Sequence, residues 1–177
     1  MGKIFDLSLG QVQDVFVSAK TGQQIWEQTG ANHRANVLEK FSDLLEENHA
    51  ELMSLCVREG GRTLKDAHDE IREAVDFCRY YAAQGLKDFN DTGKMLPSPT
   101  GEKNVYKLQS RGICVGISPW NFPIAIFTGQ IVAALMAGNA VVAKPAEQTS
   151  ITGQYIAKIM HKAGVPADVL NIVLGDG

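Results

Sequence analysis

Two segments of this chain, Ser118-Pro119-Trp120-Asn121-Phe122-Pro123 and Lys144-Pro145-Ala146-Glu147, combine residue types whose order suggests chemistry. In the first, two prolines fix φ on either side of a Trp-Asn pair, so the backbone is preorganised. The Asn121 amide is a neutral donor, able to stabilise an oxyanion without adding charge beside a reacting group. The same residues also suit a proline-bounded turn, with Trp120 packed and Asn121 bonded to its own backbone. In the second segment an ammonium and a carboxylate can grip a ribose, Lys144 donating to hydroxyls and Glu147 accepting from them. A solvated ion pair ahead of a helix, with Glu147 favoured by the positive end of the helix dipole, would use the same residues. Two such segments on successive strand ends favour a cofactor crevice.

The elements that must position them follow from hydrophobic spacing. Ile113 to Ile117 is a short apolar run suited to a strand covered on both faces. Ala140 to Ala143 reads as a second buried strand and Val169 to Leu174 as a third. Between them lie a helix from Pro123 to Ala137, ended by Gly138-Asn139, and a helix capped by Thr149 or Ser150 and stopped by Gly164 and Pro166. Strand, helix, strand, helix, strand is the order of a parallel sheet with right-handed crossovers. Ligands of such sheets gather outside the carboxyl ends of the strands, where both polar segments fall. The usual G-x-G-x-x-G fingerprint is absent; Gly175-Asp176-Gly177 offers only G-x-G, after the third strand.

Upstream, one amphipathic helix is expected from Asn32 to about Val57 and another from about Leu64 to Gln84, separated by Gly60-Gly61. Asn90 to Gly101 is a loop and Val105 to Leu108 a short, half-exposed strand. The expected fold class is α/β: N-terminal helices (1–101) plus the first half of a doubly wound, Rossmann-like parallel sheet (102–177). The chain stops just after a strand, where the next helix would begin, so it reads as a segment of a longer polypeptide with its newest edge uncovered.

Composition narrows the function. Over 177 residues, 45% are hydrophobic and 21% charged, as in ordinary globular domains. The net charge of -3 and the lack of a basic stripe argue against nucleic acid as a partner. Three cysteines without C-x-x-C spacing and four scattered histidines suggest neither a disulfide framework nor a metal site, and point to a reducing compartment. The uncharged run from Ile124 to Ala143 approaches membrane-spanning length, but Gly129-Gln130 and Gly138-Asn139 interrupt it, so a buried helix followed by a buried strand is expected.

With Gly138-Asn139, Val141-Val142-Ala143 and Ala163-Gly164-Val165-Pro166, these motifs resemble the aldehyde dehydrogenase superfamily over nearly the whole chain. Glu59-Gly60-Gly61-Arg62-Thr63-Leu64 and the segment Glu70 to Tyr81 are similar to a narrower bacterial group, the pyrroline-5-carboxylate (glutamate-γ-semialdehyde) dehydrogenase domain of bifunctional proline utilisation A. The resemblance implies that Asn121 is the oxyanion-hole donor of a cysteine thiohemiacetal. It implies that Ile117, Ser118, Pro119 and Trp120 line the nicotinamide-ribose and pyrophosphate region of NAD. Lys144 and Glu147 would bind the adenosine ribose, Pro145 and Ala146 would shape that pocket, and Gly175 would lie near the adenine. Glu73 and Phe77 would approach the aldehyde tunnel.

The family's nucleophilic cysteine and general-base glutamate lie downstream of any residue present here, and Cys56, Cys78 and Cys114 do not match the cysteine's place. The expectation is therefore an inactive part of an enzyme that oxidises L-glutamate γ-semialdehyde in proline catabolism. Its partners would be a small aldehyde and the remainder of its own polypeptide. The full protein is expected to be a cytoplasmic homo-oligomer that can associate with membranes. The alternatives are a non-catalytic dinucleotide-binding or interaction module and a dehydrogenase for another semialdehyde.

Overall fold

The computed structural model describes residues 3–175. Helices α1 (Leu9–Gln28), α2 (Gly30–Glu47), α3 (His49–Gly60) and α4 (Leu64–Asp88) come first. A two-residue antiparallel ladder follows, β1 (Lys94–Met95) with β2 (Val105–Tyr106). Then come β3 (Ile113–Ile117), α5 (Ala125–Met136), β4 (Ala140–Lys144), α6 (Ser150–Ala163) and β5 (Leu170–Ile172). The last three strands form one parallel sheet in the order β3-β4-β5. The α/β grammar expected from the sequence is the architecture observed.

The sheet is covered on both faces at its centre. On one side α5, α6, α2 and α4 share a continuous apolar core that includes Phe41, Ile71, Phe127, Ile131, Val141 and Ile156. On the other side α1 lays Val15 and Ala19 against Ile113, Ala140, Val142 and Val173. Gly22 permits this approach, because a Cβ there would come within 2.5 Å of the Asp168 carbonyl oxygen. Trp26, buried at the end of α1, donates from its indole N–H to the Leu135 carbonyl at 2.9 Å and ties α1 to α5.

Several expected boundaries shift. The single helix from Asn32 to Val57 is two helices that meet at Asn48, whose side chain donates back to the Leu44 carbonyl. The strand expected at Val105–Leu108 keeps two residues, and its partner, Lys94–Met95, lies within the stretch read as loop. β3 is not covered on both faces: Val115 is 55% and Ile117 68% exposed, because β3 is an edge strand and α1 reaches only its start. Neither Thr149 nor Ser150 caps α6 through its side chain. The Ser150 hydroxyl instead donates to the Ala146 and Glu147 carbonyls, both at 3.1 Å. The uncharged run from Ile124 to Ala143 is α5, a turn and β4; among the described residues no helix is long and apolar enough to cross a membrane.

Candidate cofactor-binding site

Parallel pairing fixes where the two polar segments lie. Ile117 and Lys144 are register partners at the carboxyl ends of β3 and β4, and the Ser118 N–H donates to the Lys144 carbonyl at 3.1 Å. Both segments therefore leave the sheet at adjacent strand tips on the same edge. Beyond that point Trp120 is 54% exposed and Asn121 is exposed, so the packed-turn alternative for Trp120 does not hold. Ser118 is buried, its hydroxyl donating to Gln130 Oε1 of α5 at 3.0 Å, which anchors the root of the loop.

In the second segment the Lys144 ammonium lies 2.7 Å from Glu147 Oε1, with the lysine largely buried and the carboxylate half exposed. The Lys144 hydrogen bond holds the Glu147 carboxyl below the ordinary carboxylate range, so it is ionised at neutral pH. Pro145 and Ala146 are buried beneath this pair. Gly153 of α6 faces Pro145 so closely that a Cβ there would stand 2.7 Å from the proline Cβ. Gly175 follows β5, on the far side of β4 from the Asn121 loop. Asp176 and Gly177 lie outside the described residues.

Glu73 and Phe77 occupy a different surface. With Asp69, Arg72, Tyr80 and Tyr81 they line an open groove along α4 that includes none of the loop residues. Phe77 nevertheless touches α5, since a Cβ on Gly129 would approach its ring within 3.0 Å.

The cysteines are poor nucleophiles in their environments. Burial pushes the Cys56 thiol up to about 12 and raises Cys78 as well; both sit on helix stripes packed into the core. Cys114, within β3, is also raised by burial. A thiol that stays protonated at neutral pH cannot attack a carbonyl efficiently.

Three residues to which the sequence reading gave no role hold the two loops. Glu59, at the end of α3, accepts the Ile151 N–H at 3.1 Å and both the N–H and hydroxyl of Thr152 at 2.6 Å. Glu70, 1% exposed on α4, accepts the Ile124 and Ala125 N–H groups at 3.0 and 3.4 Å. Arg62 Nε lies 2.9 Å from Glu70 Oε1 in an ion pair whose N–H is not aligned for a hydrogen bond. The Arg62 guanidinium carbon also sits 4.6 Å from the Phe122 ring centroid. The readable signal was negative: Ile124 cannot accept an N–H through its side chain, so α5 needed a cap from elsewhere.

Comparison with known proteins bears on the family and the fold. The family model described as the aldehyde dehydrogenase family matches residues 1–177. The bifunctional protein PutA of Klebsiella aerogenes is 43% identical over 178 residues, spanning 100% of this chain but 12% of that protein. The 1-pyrroline-5-carboxylate dehydrogenase 2 of Halalkalibacterium halodurans is 37% identical, spanning 100% of this chain and 34% of its own length. A solved structure of Bradyrhizobium japonicum proline utilization A superposes with a TM-score of 0.95 at 50% identity, covering 98% of this chain and 18% of that one. A Thermus 1-pyrroline-5-carboxylate dehydrogenase with bound NAD gives a TM-score of 0.92 at 34% identity, covering 97% and 33% respectively. The chain spans between about an eighth and a third of these relatives, and the matches cover 97% to 100% of it. Adjacent strand tips bearing the Asn121 and Lys144–Glu147 loops, together with a family match over every residue, establish that this chain belongs to the aldehyde dehydrogenase family.

Proposed function

We propose that this chain supplies part of the NAD site and the oxyanion donor of an intact dehydrogenase that oxidises L-glutamate γ-semialdehyde to glutamate. The observation that carries the reading is the pairing of Ile117 with Lys144, which delivers both loops to one edge of the sheet. The helical region 1–101 then serves as the frame, and 102–177 as the first part of the cofactor domain.

The residues present fit a dinucleotide. Glu147 is ionised, half exposed and oriented by Lys144, so it can accept from a ribose hydroxyl while Lys144 donates to one. A carboxylate at this place also repels a 2′-phosphate, which favours NAD over NADP. Bound NAD supplies the hydride acceptor. Ile117, Ser118, Pro119 and Trp120 form the wall from which Asn121 projects. Pro145 and Ala146 set the floor beneath the ribose pair, and Gly175 leaves room at the third strand tip. The Asn121 amide donates to the oxygen that becomes negative when a thiolate adds to the aldehyde carbon. Glu73 and Phe77, in the separate α4 groove that reaches α5 through Phe77, flank the approach of the aldehyde rather than its reacting carbon. The nucleophile is then supplied by another part of the intact protein, since Cys56 and Cys78 are packed in the core with raised thiols and Cys114 lies within β3.

The names of the relatives, bifunctional protein PutA and 1-pyrroline-5-carboxylate dehydrogenase, support this aldehyde over others. The test is turnover by the intact protein, followed as NADH formation with glutamate γ-semialdehyde and with competing semialdehydes. Preference for glutamate γ-semialdehyde with NAD supports the reading. Equal or better turnover of another semialdehyde overturns the substrate, and NAD binding without turnover of any aldehyde overturns the enzyme.

A further inference from the structure

The two crossover helices that follow the cofactor loops have no side-chain caps of their own. At α5 the N-cap position is Ile124 and at α6 it is Thr149, and neither makes a capping side-chain hydrogen bond. Each helix start leaves backbone N–H groups that need acceptors. In both helices a glutamate from the helical layer meets that need, and the two come from one short stretch of chain. Glu59 spans 93 residues to receive the Thr152 N–H and hydroxyl. Glu70 spans 54 residues to receive the Ile124 N–H.

The turn between these glutamates touches the first loop directly. Gly61 ends α3 in the left-handed region at φ 64°, which lets the chain reverse toward α4. A Cβ on Gly60 would lie 3.4 Å from Pro123 and 3.8 Å from the Trp120 carbonyl oxygen. Arg62 stacks over Phe122 and pairs with Glu70. Residues Trp120, Phe122, Pro123 and Ile124 are thus held from the same side.

We propose that Glu59 and Glu70, with Arg62, are positioning residues that set the two loops independently: Glu59 places the Lys144–Glu147 ribose pair through α6, and Glu70 places Asn121 through α5. The inference rests on the proposed function, and it divides that function between two carboxylates. Glu59 acts on the loop that grips the ribose, so its influence falls on cofactor binding. Glu70 acts on the loop that carries the oxyanion donor, so its influence falls on the chemical step. Both carboxylates accept from backbone N–H groups at the helix starts and so act through the loops.

The experiment is steady-state kinetics of the intact dehydrogenase with Glu59→Gln and Glu70→Gln. Each substitution keeps volume but turns one acceptor oxygen into a donor facing an N–H. Glu59→Gln should raise KM for NAD about tenfold with kcat within about twofold, the loss of one charge-assisted hydrogen bond. Glu70→Gln should lower kcat about tenfold while KM for NAD holds within about twofold. Arg62→Met keeps apolar volume over Phe122 and should follow the Glu70 pattern more weakly, which leaves a readable variant if Glu70→Gln fails to fold. Changes in kcat and KM that are the same for Glu59→Gln and Glu70→Gln, or kinetics unaltered by either, overturn the division of roles. A wild-type protein that neither binds NAD nor reduces it overturns the functional reading itself, before any variant is compared.

Discussion

Ile117 and Lys144 face each other as the last paired residues of two parallel strands, and the Ser118 N–H closes the pair on the Lys144 carbonyl at 3.1 Å. One backbone contact thereby joins the loop that carries a neutral amide donor to the loop that carries an ion pair. Parallel strands point their carboxyl ends the same way, so this register forces both loops onto one edge.

Asn121 sits exposed beyond that contact, free of the core. Asn121→Ala in the intact enzyme is expected to lower kcat about 10²- to 10³-fold, the usual cost of removing one oxyanion donor. KM for NAD should stay within about twofold, since the proposed role of the amide is on the aldehyde oxygen. Steady-state kinetics with both substrates varied checks this.

Gly153 and Gly22 allow close packing in different places, and they make a controlled pair. A methyl at 153 presses on Pro145, inside the Lys144–Glu147 loop, whereas one at 22 presses on the Asp168 backbone, away from it. Both Gly153→Ala and Gly22→Ala should destabilise by roughly 1–3 kcal/mol in urea denaturation. NAD affinity should fall several-fold further in Gly153→Ala than in Gly22→Ala, as read by fluorescence titration.

Thiol reactivity tests the reading that none of the three cysteines acts as a nucleophile. Cys56 and Cys78 are buried with raised thiols, and Cys114 is only partly covered. Under native conditions at neutral pH, an aromatic disulfide reagent should label Cys114 slowly and the other two only on unfolding. The 177-residue chain alone should form no NADH from glutamate γ-semialdehyde. Rapid labelling of Cys56 or Cys78 in the folded chain would contradict the structure.

Glu70 gives a pH signature. Burial raises its carboxyl above the ordinary range, against the lowering effect of the Ile124 and Ala125 N–H groups and of Arg62. The folded state therefore holds this proton more tightly than the unfolded chain does. Its contribution to stability is complete below the unfolded value of about 4.3 and is lost as pH rises through the higher folded value. Glu70→Gln has no such proton, so the stability of wild type relative to Glu70→Gln should fall as pH rises across that window. Urea midpoints measured at several pH values would show it, and a difference that grows with pH would contradict the assignment.

The sheet was legible because each of its strands is a compact apolar run bounded by glycine, asparagine or proline. Ile113–Ile117 and Ala140–Lys144 appear within one residue of expectation for that reason. Helix α1 was not assigned, although Val12, Val15, Ala19, Gln23 and Trp26 recur at helical spacing and Ser8–Gln11 forms a capping box. Its glutamine-rich composition and small buried residues dilute the apolar stripe. Exposure of β3 could not be read, because an edge strand and a central one share the same apolar composition and differ only in neighbours. The loop residues were visible as motifs, but their supports were not. Glu59 and Glu70 act across 93 and 54 residues, and no local spacing rule reaches that far.

The most direct test of a dinucleotide grip at the strand tips is NAD titration of the intact protein, wild type against Lys144→Ala and Glu147→Ala, by calorimetry. Loss of either hydrogen-bonding partner should weaken NAD binding about tenfold, with little change in melting temperature for Glu147→Ala, whose carboxylate is half exposed. Unchanged NAD affinity in both variants would contradict the account and reduce the pair to a solvated ion pair at a helix start.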